Sequence, residues 1–195
     1  MEKTPAFLDA HRTRSERPFR TQGPMNKLTV SLLCGLLVLS AVARASGGST
    51  GQLAPLCELT AMGDSPKVDL GQLRGKVVYV DFWASWCAPC AKAFPFLNDM
   101  DRDFGERGLQ VLGINVDEQI EEAKRFLSMH PASFALASDA SGQCPRNFEV
   151  RAMPASYLVD RKGVIRRVIL GFRAGEADQI RSAVEKLLAE KTDND

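Results

Sequence analysis

Residues 86–90 read Trp86-Cys87-Ala88-Pro89-Cys90, directly after the apolar run Val77 to Ala84 and just before a helix-forming stretch. Two cysteines three residues apart, where a strand hands over to a helix, have the spacing of a redox-active dithiol. A thiol at a helix N-terminus gains a stabilised thiolate from unpaired N–H groups and the positive end of the helix dipole. A partner one turn later is close enough to close a small disulfide ring. Cys87 is then the expected nucleophile, first in the motif and exposed, and Cys90 the thiol that resolves a mixed disulfide. Ala88 and Pro89, between the two, tune the stability of the thiolate form. Asp81 is the one acid in a strand otherwise made of Val, Tyr, Phe and Trp. Burying a carboxylate there is costly and raises its pKa. The same cysteine pair could be half of a zinc site, but zinc needs two further ligands at suitable spacing. His130, Cys57 and Cys144 are far apart in sequence, so no metal and no other cofactor is expected. A purely structural disulfide across three residues would constrain very little chain.

The elements that must hold these residues follow from periodicity and punctuation. Strands are expected at Val77 to Ala84, Leu109 to Val116, Phe134 to Ala137, Ala155 to Val159 and Val164 to Leu170. Leu56 to Leu59 and residues 68–70, around the turn at 63–66, suggest a hairpin or strand pair. Helices are expected from Cys87 to about Phe104, with a kink at Pro95, and over Glu118 to Met129 and Gln143 to Phe148. Ala174 to Leu188 closes the domain with Ile180, Ala183, Val184 and Leu187 on one stripe. The order describes an α/β domain with a mixed central sheet and helices on both faces. Residues 46–53 are Gly/Ser-rich and read as a flexible linker, so the domain is expected over 54–190 with a disordered tail at 191–195.

The N-terminus is of a different kind. Residues 1–24 are polar, without apolar periodicity, and read as a disordered extension, with Met25 able to serve as a start. Met25-Asn26-Lys27, the mostly apolar run at 28–42 and Ala43-Arg44-Ala45 describe a secretory signal peptide cleaved after Ala45. The alternative is an anchor retained at 28–42, a run shorter than the roughly 18 apolar residues a span needs. Cys34 belongs to that run. The remaining set is even: Cys57, Cys87, Cys90 and Cys144. The three-residue spacing pairs Cys87 with Cys90 and leaves Cys57 and Cys144 either as a disulfide or as two buried thiols. Of 25 Lys/Arg and 24 Asp/Glu, seven basic and three acidic residues fall in 1–45, leaving 18 and 21 in residues 46–195. That mildly acidic remainder argues against a nucleic-acid surface.

Val80-Asp81-Phe82-Trp83-Ala84-Ser85-Trp86-Cys87-Ala88-Pro89-Cys90, Pro95, and Met153-Pro154 before a strand together resemble the thioredoxin fold. The leader, the Leu70 to Gly75 approach and the long insert between strand and proline look like the TlpA/ResA branch of exported thiol–disulfide oxidoreductases. The resemblance covers roughly residues 52–190. It implies that Asp81 relays a proton to or from Cys90. It also implies that Pro154 is a cis-proline which, with Met153 and Trp86, meets an incoming peptide beside the dithiol. The partners it implies are cysteine-containing exported proteins and a membrane electron donor that re-reduces the site; a monomer in the periplasm or an equivalent exported location is expected. One departure stands out: where many relatives concerned with cytochrome maturation carry Glu, three residues after the second cysteine, this chain has Ala93. That favours a general dithiol exchanger. It is expected to work as a reductant or isomerase rather than as an oxidant. The competing readings are a thiol peroxidase and a copper carrier. A peroxidase would place Thr three residues before Cys87, where Ala84 stands. A carrier would need a histidine near the motif, and His130 is remote from it.

Overall fold

The computed structural model describes residues 48–63 and 69–190. The extension at 1–24, the expected signal peptide at 25–45 and the tail at 191–195 lie outside the described residues.

The sheet grows outward from β2 (Val77–Trp83), whose seven residues are all buried. Side chains alternate across a strand, and here both faces are covered. Val77, Tyr79 and Trp83 enter one core, while Val78, Val80 and Phe82 enter the other. A strand buried on both faces reads as an unbroken apolar run, which is why the sequence marks it so clearly. β2 runs parallel to β3 (Leu109–Asn115), and β3 parallel to β4 (Ala135–Ser138). On its other side β2 is antiparallel to β5 (Ala155–Val159), and β5 to β6 (Ile165–Leu170). A two-residue strand, β1 (Thr60–Ala61), caps the far edge antiparallel to β4, giving the order β1-β4-β3-β2-β5-β6.

Helices cover both faces. α1 (Ala88–Phe104), α2 (Ile120–Met129) and α4 (Ala177–Ala189) supply Phe94, Leu97, Phe126, Ile180 and Val184 to the first core. The short α3 (Gln143–Asn147) and the residue after it supply Cys144 and Phe148 to the second. Trp83 and Phe126 both pack on Phe94, with ring centroids 5.2 and 5.1 Å away. Opposite, Phe82, Phe148 and Tyr157 form edge-on contacts with centroids 4.9–5.9 Å apart. Such pairs each contribute about 0.5–1.5 kcal/mol beyond their buried area. Gly113 shows how closely the layers approach. A Cβ there would lie 2.9 Å from Phe134, 3.0 Å from Leu136 and 3.2 Å from the Trp83 indole nitrogen.

Two expectations need correction. Among the described residues the expected strand pair is not seen: Leu56–Leu59 is not a strand, Thr60–Ala61 pairs with β4, and Leu70–Leu73 is a single turn of 3-10 helix capped by the Asp69 carboxylate. An Asp whose side chain accepts from the N–H two residues on favours a turn over an extended strand. The supposed linker at 46–53 is docked from Gly51 onward. Gly51 N–H donates to the Ile165 carbonyl at 2.8 Å, Ile165 N–H to the Gln52 carbonyl at 2.8 Å, and Leu53 bridges Val164. Glycine content signals permitted conformations, but an open strand edge offers partners that composition does not reveal. The helix α1 runs from Ala88 to Phe104 with Pro95 inside it. Cys57 and Cys144 are bonded, with Cα atoms 5.3 Å apart, and fasten the segment before β1 to α3.

Candidate active site

β2 ends at Trp83 and the chain turns over Ala84–Cys87, where the Cys87 N–H donates to the Ala84 carbonyl at 3.1 Å. Cys87 is the N-cap of α1, and its sulfur accepts the Cys90 N–H at 3.3 Å. Pro89 falls in the first turn, where a missing N–H costs nothing because that group has no intrahelical partner anyway. Cys87 and Cys90 form a disulfide. The nucleophile was expected to be exposed, yet Cys87 is only 4% accessible and Cys90 fully buried, because α1 packs its first turn against the sheet. Trp86, Ala88 and Pro89 around them face solvent. Trp86 is 68% exposed, so its indole stands away from the core as an apolar projection beside the dithiol.

Odd-numbered residues of β2 face the core that α1 covers, and Asp81 is therefore on the same face as Cys90. Its carboxylate is 1% exposed. One oxygen accepts the Ser156 hydroxyl from β5 at 2.6 Å, while the other has no partner among the described residues. Burial pushes the Asp81 pKa up to about 7, only partly opposed by the Ser156 hydrogen bond. The buried Tyr79 hydroxyl on the same face is also pushed upward, by burial and by the nearby Asp81 charge.

The Met153–Pro154 peptide bond is cis, and the Pro154 carbonyl accepts the Gly171 N–H at 2.8 Å. Pro154 is buried and Met153 half-buried, packed against both cores. Neither the N–H nor the carbonyl of Met153 makes a hydrogen bond among the described residues. Cys57 and Cys144 lie away from this constellation, lining a separate cleft with Thr60, Ser138 and Asn147.

A second group went unnoticed in the sequence: Ser85, Asn115 and Asp117. Asp117 accepts both the Ser85 N–H and the Ser85 hydroxyl at 2.9 Å, and is held in turn by the Asn115 amide at 2.8 Å. Polar residues at a strand end read as an ordinary loop. Their convergence depends on the Trp83–Asn115 register between β2 and β3.

The AhpC/TSA family model matches residues 50–168. The chain belongs to the AhpC/TSA family, in its TlpA/ResA-like branch. This TlpA/ResA-like chain is 29% identical over 126 residues to the thiol-disulfide oxidoreductase ResA of Bacillus thuringiensis subsp. konkukian, covering 65% of its own length and 72% of ResA. A Chlorobium tepidum crystal structure, provisionally named a thiol:disulfide interchange protein DsbE, is 37% identical with a TM-score of 0.69, across 72% of this chain and 99% of that one. A solution structure from Bacteroides thetaiotaomicron, provisionally named a protein disulfide isomerase, is 27% identical with a TM-score of 0.67, across 73% of this chain and 91% of that one. The thioredoxin fold and the thiol–disulfide oxidoreductase class expected from the sequence both stand.

Proposed function

We propose that this chain is exported and exchanges its Cys87–Cys90 dithiol with disulfides of partner proteins, working as a reductant. The observation that carries the reading is the cap of α1: the Cys87 sulfur accepts the Cys90 N–H at the positive end of a 17-residue helix. A sulfur so placed is stabilised as thiolate once reduced. In the forward step the Cys87 thiolate attacks one sulfur of the partner disulfide, and the other partner sulfur leaves as thiolate. Cys90 then gives its proton to the unpartnered Asp81 oxygen and attacks the Cys87 sulfur. The second partner thiolate is released and the Cys87–Cys90 disulfide forms. Two electrons pass to the partner, and a membrane electron donor restores the dithiol.

The substrate is a cysteine-containing exported protein. The free N–H and carbonyl of Met153, beside Pro154, suit an extended peptide segment, and Trp86 offers it an apolar contact. Ala93 is a buried core residue of α1, so no acid stands where relatives concerned with cytochrome maturation carry Glu. That supports a general exchanger. Cleavage after Ala45 and a monomeric state complete the reading.

Trapping tests it. A Cys90→Ser variant cannot resolve the mixed disulfide, so it should accumulate partner proteins bonded to Cys87 and release them on treatment with a small dithiol. A Cys90→Ser variant free of adducts, beside a Cys87→Ser variant that carries them on Cys90, would reverse the two roles.

A further inference from the structure

We propose that Asp117 is a positioning residue for disulfide exchange, holding the turn that carries Cys87 by a two-point grip on Ser85. This rests on Cys87 being the nucleophile.

The turn leaving β2 satisfies only some of its own polar groups. The Ala84 carbonyl takes the Cys87 N–H, and the Trp83 carbonyl takes the N–H of Val116 from the end of β3. The Ser85 N–H finds no backbone acceptor, and an unpaired N–H on a half-buried turn leaves the turn free to choose other conformations. Asp117 removes that freedom. One carboxylate oxygen accepts the Ser85 N–H and the other the Ser85 hydroxyl, both at 2.9 Å. A grip by both oxygens on two donors of one residue fixes orientation as well as distance, as charge-assisted bidentate pairs do.

The grip is anchored deep in the fold. Asp117 is 2% exposed and Asn115 is fully buried. The Asn115 amide donates to Asp117 at 2.8 Å, and the Asp117 N–H returns to the Asn115 side-chain oxygen at 3.2 Å. The Asn115 carbonyl accepts the Asp139 N–H at 2.9 Å, which ties the group to the end of β4 as well. Each buried polar partner is thus satisfied by another, an arrangement that rigidifies a site. Ser85 is two residues ahead of the sulfur that must meet the Cys90 N–H at the helix cap. Asp117 touches neither sulfur, so its effect passes through the turn alone.

The experiment compares Asp117→Ala, Asp117→Asn and Ser85→Ala in the full chain with the dithiol reduced. The measurement is the rate at which iodoacetamide labels Cys87 at neutral pH, with the labelled residue identified by mass spectrometry. Asn keeps an oxygen for the Ser85 N–H while removing the charge, whereas Ala removes both, so their difference isolates the grip. Losing one capping interaction corresponds to about fivefold in rate if the thiolate loses that support. Asp117→Ala should therefore label about fivefold more slowly than Asp117→Asn, with Ser85→Ala between them. Equal rates for Asp117→Ala and Asp117→Asn, both folded, overturn the proposal. If Asp117→Ala does not fold, a Ser85→Ala rate equal to that of the unsubstituted protein overturns it instead. Label on Cys90 rather than Cys87 in the unsubstituted protein overturns the nucleophile assignment, which is a separate failure.

Discussion

Replacing Asp81 by Asn should make the protein more stable above neutral pH while slowing its chemistry. The carboxyl is buried and its pKa lies at about 7, against 3.8 for the unperturbed group. A raised folded-state pKa means that the folded protein holds this proton more tightly than the unfolded chain. Its stabilising contribution is complete below about pH 4, falls as pH rises toward 7, and is gone above that. A difference of roughly 3 pKa units corresponds to about 4 kcal/mol of lost stability at alkaline pH, an upper bound because local relaxation and water entry reduce it. Asn resembles the protonated acid: its oxygen can still accept the Ser156 hydroxyl, and its amide replaces the oxygen that has no partner. The variant should gain about 2–4 kcal/mol over the unsubstituted protein at pH 8.5 and nothing near pH 4. Urea unfolding of the oxidised protein at half-unit intervals from pH 4 to 8.5 measures this directly. The difference between the two stability curves should widen upward through pH 4 to 7. A constant offset across the whole range would refute the assignment of the raised pKa to Asp81. Turnover of a disulfide substrate should fall in the same variant, because Cys90 has lost its proton acceptor.

Two further perturbations probe the frame. Replacing both Cys57 and Cys144 by Ser opens a crosslink spanning 87 residues, and loop entropy alone predicts a loss of about 4.6 kcal/mol in urea unfolding. In a Cys87→Ser/Cys90→Ser background, a thiol titration of the unreduced mature chain should find no free thiol, and two would refute the pairing. Gly113→Ala forces a methyl against Phe134, Leu136 and Trp83, and should lower the unfolding midpoint by the equivalent of about 1–3 kcal/mol; an unchanged midpoint would show that those rings yield freely.

Much of the frame was readable in the chain. β2 announces itself because a strand covered on both faces has no polar alternation to interrupt it, and Asp81 stands out against that background. The 3.6-residue stripe of Ile180, Val184 and Leu187 marks the last helix for the complementary reason: one face only is buried. Cys87 and Cys90 were legible through local spacing. Thr60–Ala61 was not, because a two-residue strand carries no period and exists only through its pairing with β4. Nor was the docking of residues 51–54, which rests on hydrogen bonds to Gly163 and Ile165, more than a hundred positions away.

The sequence by itself determined the dithiol, its place at a strand-to-helix junction and the elements that carry it, because each depends on residues within a few positions of one another. Only the tertiary structure decided how far the sulfurs are shielded, that Asp81 shares a face with Cys90 and meets Ser156, that Cys57 bonds Cys144, and that Asp117 grips Ser85. Those facts depend on strand register and on which face of the sheet each helix covers. Register and layer packing are collective outcomes of burying two cores at once, and no short window of sequence contains them.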